Sequence, residues 1–439
     1  MHNDPKGANG FLIVGRVLII AFHFPPCTGS SGLLRSEKFS RYLPEFGWEP
    51  VVLSSHPRTY EALAPGTERK VKVPVKRAFA LDTKKHLSFR GSYSDWMALP
   101  DRWVSWLIGA VPSGLRMIRK YRVEIIFSTF PISTAILIGL VLHRLTGIPW
   151  VADLRDSMTE EGYPHEPRTR RVRRWIERHA MGYASRVIFT AASTREMYLG
   201  RYPQLRRENC LLIPNGYDEC DFASLCLAGP RVASADQPLR LLHTGLLYPE
   251  ERDPLPFFRA LARLKREGKI SATILNISFR APGADELFQK MINDLDVADI
   301  VQLRQRIPYH EALQECADAD GLLIFQAANC DHQIPAKTYE YLRLRRPILA
   351  MTTHTGDTAA LLNETGGATI VKLAEEEDIC EKLVDFLCAV RAGKHPLPRL
   401  AAVQKYARRS QAEELAKCLT EVRKQTSTAA AQEAESLAR

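Results

Sequence analysis

RVLIIAFHFPPCTGSSGLLRSEKFSRYLPEFGWEPVVL, residues 16–53, is the stretch on which the fold turns. Val17 to Ala21 are apolar without a break, and a run lacking alternation reads as a strand buried on both faces. The small residues of Cys27-Thr-Gly-Ser-Ser-Gly32 make a loop, residues 32–46 carry a helical pattern, and Pro50-Val-Val-Leu53 is a second strand. Strand, loop, helix and strand in that order form the unit of a parallel sheet covered by helices.

The alternation continues outward, with strands expected at 124–127, 149–152, 186–189 and 210–213. After Pro214-Asn-Gly216 the text becomes irregular, and a fresh series starts at 239–243 and runs through 272–275, 300–302, 321–324 and 347–350. A chain of 439 residues exceeds what one core serves. The expected class is α/β, with two doubly wound Rossmann-like domains and a ligand cleft between them, at residues 1–218 and 219–399. A charged helical pattern from 400 to about 424 closes the chain; the segment 400–439 is expected to pack back across the domains, with a frayed end beyond Thr426.

Apolar residues at 45% and charged residues at 25% are ordinary globular values, which exclude a disordered or fibrous chain. The net charge of +10 favours an anionic partner: nucleic acid, a phosphorylated small molecule or a lipid surface. Zinc-finger spacing, an RNP-like aromatic strand and a lysine-rich tail are all missing, so no nucleic-acid partner is expected. Nine cysteines stand singly, without a CxxC pair, and read as reduced thiols of a cytoplasmic protein. The polar start and the broken apolar run at 11–22 do not read as a signal peptide, and the run at 134–142 is too short to cross a bilayer.

Six phrases, taken in order, resemble glycosyltransferase family 4, in its bacterial branch that builds surface polysaccharides. They are Phe24-Pro-Pro26 with its Gly/Ser loop, the segment 38–53, Trp150-Val-Ala-Asp-Leu-Arg-Asp156, Ile213-Pro-Asn-Gly-Tyr-Asp218, His243-Thr-Gly245 and Pro335-Ala-Lys-Thr-Tyr-Glu-Tyr-Leu342. The resemblance implies a GT-B fold and a retaining glycosyltransferase, in which the N-terminal domain takes the acceptor and the C-terminal domain a nucleotide-diphosphate sugar. It implies no obligatory metal and no cofactor beyond the sugar nucleotide as co-substrate.

The site residues follow from residue chemistry and from this resemblance together. Gly29 and Gly32 let backbone N–H groups approach an anion at a helix N-terminus, and without the resemblance the same loop reads as a flexible turn. By resemblance Glu340 is the carboxylate that accepts both ribose hydroxyls, ionised at its helix N-terminus; otherwise it is a solvated first-turn glutamate. Many family members carry another glutamate eight positions earlier, where this chain has His332 after Asp331. Either of these two takes over the sugar contact, or the donor sugar differs, or catalysis is weakened.

A leaving diphosphate needs a fixed cation. Family members place Arg and Lys just after the first strand of the second domain; here the stretch from Gly245 offers Arg252, with Lys337 second, against a surface Arg252 paired with Glu250 or Glu251. Asp153 and Asp156, at a strand's carboxyl end, are candidates to orient the acceptor hydroxyl and receive its proton, or to form an internal pair with Arg155. Asp318-Ala-Asp320 matches a DxD pattern but stands at a helix end, so no metal is expected. Trp96, Trp103 and Trp106 with Arg116, Arg119 and Lys120, and six arginines over 168–178 around Trp175, resemble interfacial segments or else the charged faces of core helices. They fit an anionic membrane surface and a lipid-linked glycan acceptor, at the inner face of the cell membrane. A sugar-nucleotide-binding protein without turnover, and a sugar-nucleotide epimerase, are the competing functions.

Overall fold

Val17, Leu18, Ile19 and Ile20 are all at most 1% exposed, because their strand lies at the middle of a sheet that helices cover on both faces. The computed structural model describes residues 15–28, 31–64, 66–90, 92–226, 237–249 and 251–437. Seven parallel strands make the first sheet: β1 (Gly15–Ile20), β2 (Trp48–Ser55), β3 (Val75–Ala78), β4 (Ile125–Thr129), β5 (Trp150–Leu154), β6 (Arg186–Phe189) and β7 (Cys210–Leu212), in the order β3-β2-β1-β4-β5-β6-β7. Six more make the second: β8 (Leu239–Thr244), β9 (Leu275–Arg280), β10 (Val301–Arg304), β11 (Gly321–Phe325), β12 (Ile348–Met351) and β13 (Ala368–Val371), in the order β10-β9-β8-β11-β12-β13. Each order reverses once, between β1 and β4 and between β8 and β11, and such switch points are where doubly wound sheets open a ligand crevice.

The chain divides into two units, one ending at Pro214 and resuming at Arg408, the other running from Asn215 to Ala407. Each sheet has an apolar core on both faces. The helical pattern expected from 400 is interrupted: a turn of helix at Leu400–Val403 and a 3-10 turn at Gln404–Tyr406 precede an extended Ala407. The helix Arg408–Leu437 then belongs to the first unit, and the end beyond Thr426, expected to fray, continues in helix. Its Leu415, Leu419 and Val422 pack on Val17, Ile19 and Phe127, and Arg423 pairs with Glu124 at 2.8 Å.

Two strands were not expected, β3 and β13, both sheet edges whose partly exposed residues dilute the apolar signal. The strand expected at 272–275 lies instead at β9, where Asn276, Ser278 and Arg280 alternate with Ile277 and Phe279. Among the described residues no helix is long and apolar enough to cross a membrane; the run at 134–142 lies in the largely buried helix Ser133–Thr146.

Candidate functional site

In the first unit, Phe22 and His23 follow β1, Thr129 ends β4, and Gly32 and Ser36 stand at the start of the helix Ser31–Tyr42. With Arg155 they line a small recess at the switch point of the sheet. Gly29 lies outside the described residues, so Gly32 carries the placement of the loop. Burial lowers the pKa of Arg155, while the neighbouring carboxylate of Asp156 opposes the shift. His23 is pushed down to about 4, first by burial and then by Arg155, and is therefore neutral at physiological pH.

Asp153, expected to face the acceptor or to pair with Arg155, is committed elsewhere. It is fully buried and receives Arg35 in a bidentate pair, from Nε at 3.0 Å and a terminal nitrogen at 2.8 Å, with the Thr129 hydroxyl donating at 2.7 Å. Arg35 also donates to the carbonyls of Ile213 and Pro214. Nothing in the sequence pointed to this partner, because the two residues stand 118 positions apart. Asp156, half-exposed beyond the end of β5, is the one of the two candidate carboxylates not taken up by Arg35.

Of the three tryptophans read as interfacial, Trp106 is core and Trp103 is part-buried with its ring N–H on the Thr59 carbonyl, leaving Trp96 exposed. The second stretch keeps its basic face: in the helix Pro167–Tyr183, Arg168, Arg171, Arg174, Trp175 and Arg178 are exposed.

In the second unit the polar cluster gathers at the carboxyl end of β8. Gly245 follows the strand with φ +86°, a conformation suited to glycine, and a Cβ there would stand 3.4 Å from Lys337 Nζ. Its N–H is tied to the Arg280 carbonyl. The loop that carries Arg252 is pinned by Leu247 N–H on Pro282, Arg252 N–H on Tyr248 and Ala327 N–H on Glu251. Arg252 lies over the Tyr248 ring at 5.5 Å and donates to the Leu246 carbonyl at 3.2 Å, and among the described residues its buried Nε finds no hydrogen-bond partner. Glu250 lies outside the described residues.

Lys337 opens the helix Lys337–Leu344, with Glu340 in the same first turn. Lys337 Nζ is 2.9 Å from His243 Nε2. Burial and then the Arg252 charge lower the lysine to about 7, with Cys316 and Glu340 opposing. Glu340 is half-exposed and accepts from the Tyr309 hydroxyl at 2.6 Å. Tyr341, from the same helix, meets both the N–H and the hydroxyl of Thr244 at 3.0 Å, which locks the helix start to the end of β8. The structure thus brings Gly245, Lys337 and Arg252 together, with Glu340 close enough to act on the lysine.

Asp331, weighed beside His332 for the sugar contact, serves the fold. Its Oδ2 accepts from Thr353 at 2.6 Å, and a Cβ on Gly356 would come within 2.6 Å of its Oδ1. His332 is half-buried, its Nε2 3.3 Å from the Gln333 amide nitrogen. Asp320, between the helix Tyr309–Asp318 and β11, accepts the N–H of Arg240 in β8 at 2.8 Å.

Two all-parallel doubly wound sheets, each with a polar cluster at its switch point, define an α/β protein of the GT-B fold. Within that class, residues 35–216 match the family described as glycosyl transferase 4-like domain. No curated protein sequence matches the chain significantly. Among solved structures it is similar to sucrose-phosphate synthase from Thermosynechococcus elongatus, at 14% identity and TM-score 0.58 over 96% of this chain and 100% of that one. Trehalose 6-phosphate synthase from Burkholderia multivorans is similar at 11% identity and TM-score 0.63, over 95% and 98% of the two chains. UDP-GlcNAc 2-epimerase from Methanocaldococcus jannaschii shares the fold at 13% identity and TM-score 0.55, over 92% and 99%. At such identities the likeness is one of fold.

Proposed function

We propose that the protein is a retaining, metal-independent glycosyltransferase that moves a sugar from a nucleotide-diphosphate sugar to a lipid-linked glycan acceptor in polysaccharide biosynthesis. The observation that carries this reading is the grouping of Lys337, Arg252 and Gly245 at the end of β8, with Glu340 on the same helix turn as Lys337, in a chain with a glycosyl transferase 4-like domain. Glu340 takes the ribose hydroxyls, and Gly245 leaves room for a diphosphate beside the two cations. As the glycosidic bond breaks, negative charge grows on the phosphate, and fixed cations aimed there lower the barrier. In a same-face attack the departing phosphate oxygen accepts the acceptor's proton, so Asp156 need only orient the hydroxyl, and His332 contacts the donor sugar.

A thermal-shift series against nucleotide-diphosphate sugars tests the donor half. A true donor at about a hundred times its Kd stabilises the protein by roughly 2.7 kcal/mol, and Glu340→Ala abolishes that gain. Retention of the shift in the variant removes the ribose assignment. Product analysis separates the competing functions: a transferase releases nucleotide only with acceptor, an epimerase alters the sugar without releasing nucleotide, and a binder does neither.

The exposed arginines around Trp175 support peripheral association with the inner face of the cell membrane, where cations meet anionic headgroups and the ring sits at their level. The protein is expected to co-sediment with vesicles containing anionic lipid and to be released by salt, and Arg171→Ser/Arg174→Ser/Arg178→Ser to bind them about a hundredfold less tightly. Absence of co-sedimentation at low ionic strength would exclude this surface.

A further inference from the structure

His243 is almost completely buried, yet it is neither an apolar core residue nor one of the groups assigned above to the donor. Its ring is wedged among Phe279 and Phe325, with centroids at 5.9 and 5.3 Å. Nδ1 lies 2.9 Å from the carbonyl of Leu323 in the adjacent strand β11. A carbonyl only accepts, so Nδ1 carries the proton, and Nε2 of the neutral ring keeps its lone pair. That lone pair faces Lys337 Nζ at 2.9 Å. Burial, Lys337 and Arg252 all hold the imidazole far below its usual range, so the ring stays neutral.

We infer that His243 is a positioning residue: clamped by the Leu323 carbonyl, it fixes Lys337 Nζ beside Gly245 so that the lysine meets the diphosphate of the donor. The inference rests on the donor reading of this cluster. A lysine has a flexible stem and three donors, and left alone it loses rotamer freedom on binding. One N–H held by Nε2 leaves two for phosphate oxygens, with the stem already ordered. The ring suits this place because it accepts from the lysine without adding a positive charge beside it.

A consequence concerns pH. The groups that face Lys337 are His243 on β8, Arg252 on the following loop, Cys316 on the helix Tyr309–Asp318 and Glu340 on its own helix. His243 is held neutral, and burial pushes the Cys316 thiol up, away from the neutral range. Lys337, drawn down to about 7 by burial and by the Arg252 charge, titrates near neutrality. An anionic diphosphate favours its ammonium form, so binding draws a proton and affinity falls as pH rises above about 7.

The experiment measures binding of uridine, guanosine and adenosine, their diphosphates and their diphosphate sugars to the wild type, His243→Asn and His243→Gln, by calorimetry at about pH 7 and about pH 9. Asn reproduces the donor to Leu323 but reaches no further, whereas Gln places an amide oxygen near the site of Nε2. For whichever base binds, His243→Asn is expected to weaken the diphosphate sugar about tenfold or more while the matching nucleoside binds as before, and Gln to restore most of the loss. Retained nucleoside binding also certifies that each variant is folded, and either folded variant that keeps it decides the comparison. The wild type is expected to take up protons on binding the diphosphate sugar near pH 8, read from buffers of different ionisation enthalpy. Equal diphosphate affinity in wild type and folded His243→Asn, or no proton uptake by the wild type, overturns the inference and leaves the donor reading standing. If no diphosphate in the panel binds the wild type, the donor reading itself falls, and this inference with it.

Discussion

Asp153→Ala is expected to destabilise the first unit by about 3–5 kcal/mol, the scale for stranding one member of a buried ion pair. Both partners are fully buried, and the pair joins the helix Ser31–Tyr42 to the carboxyl end of β5, to Thr129 at the end of β4 and to the carbonyls after β7. Removal of the carboxylate leaves a buried guanidinium whose remaining hydrogen bonds, among the described residues, go to two carbonyls. The joint replacement Arg35→Met/Asp153→Leu is expected to recover most of the loss, since apolar side chains of similar volume fill the site without a stranded charge. All six tryptophans fall in the first unit, so urea unfolding followed by tryptophan fluorescence reads that unit selectively. Turnover measured on the folded fraction of Asp153→Ala is expected to survive, because the carboxylate is enclosed by protein donors. A shift smaller than about 1 kcal/mol, or turnover lost in fully folded protein, would return Asp153 to the catalytic candidates.

The second large effect is on catalysis. Lys337→Met, of similar length and without charge, is expected to lower kcat for sugar transfer by about 10²–10³-fold, the range for removing one preorganised group aimed at developing negative charge. Nucleoside affinity is expected to hold, because Glu340 and Tyr309 remain. The burial that draws the lysine to about 7 makes its charge costly in the free protein, so the variant is also expected to fold at least as stably. Lys337→Arg is not expected to rescue, since a planar fork fits neither the 2.9 Å contact with His243 nor the space beside Gly245. A kcat within about threefold of wild type would place the phosphate contact elsewhere, Arg252 being next in line.

Both sheets were legible because strands buried on two faces spell their own presence. Val17–Ile20, Ile125–Phe127 and Leu322–Ile324 are unbroken apolar runs, and their spacing implies parallel crossovers. The edges β3 and β13 escaped because a half-covered strand need not be apolar throughout. In the polar cluster at the end of β8, Gly245, Lys337 and Glu340 were singled out through short phrases whose spacing a single turn or helix start preserves. Their partners were not. Leu323 meets His243 across 80 positions and Tyr309 meets Glu340 across 31, and such contacts follow from strand order and helix docking.

The sequence by itself determined that this is a two-sheet α/β chain, where each sheet begins, and which small, acidic and basic residues end up at strand ends, because these follow from local apolar pattern and loop composition. Only the tertiary structure decided that Asp153 belongs to Arg35, that Asp331 serves Thr353, that the last helix completes the first unit, and that His243 stands behind Lys337. A buried charge or hydrogen-bonding group takes whichever complementary partner the packed elements bring within reach, and that partner is set by the order of strands rather than by neighbours in the chain.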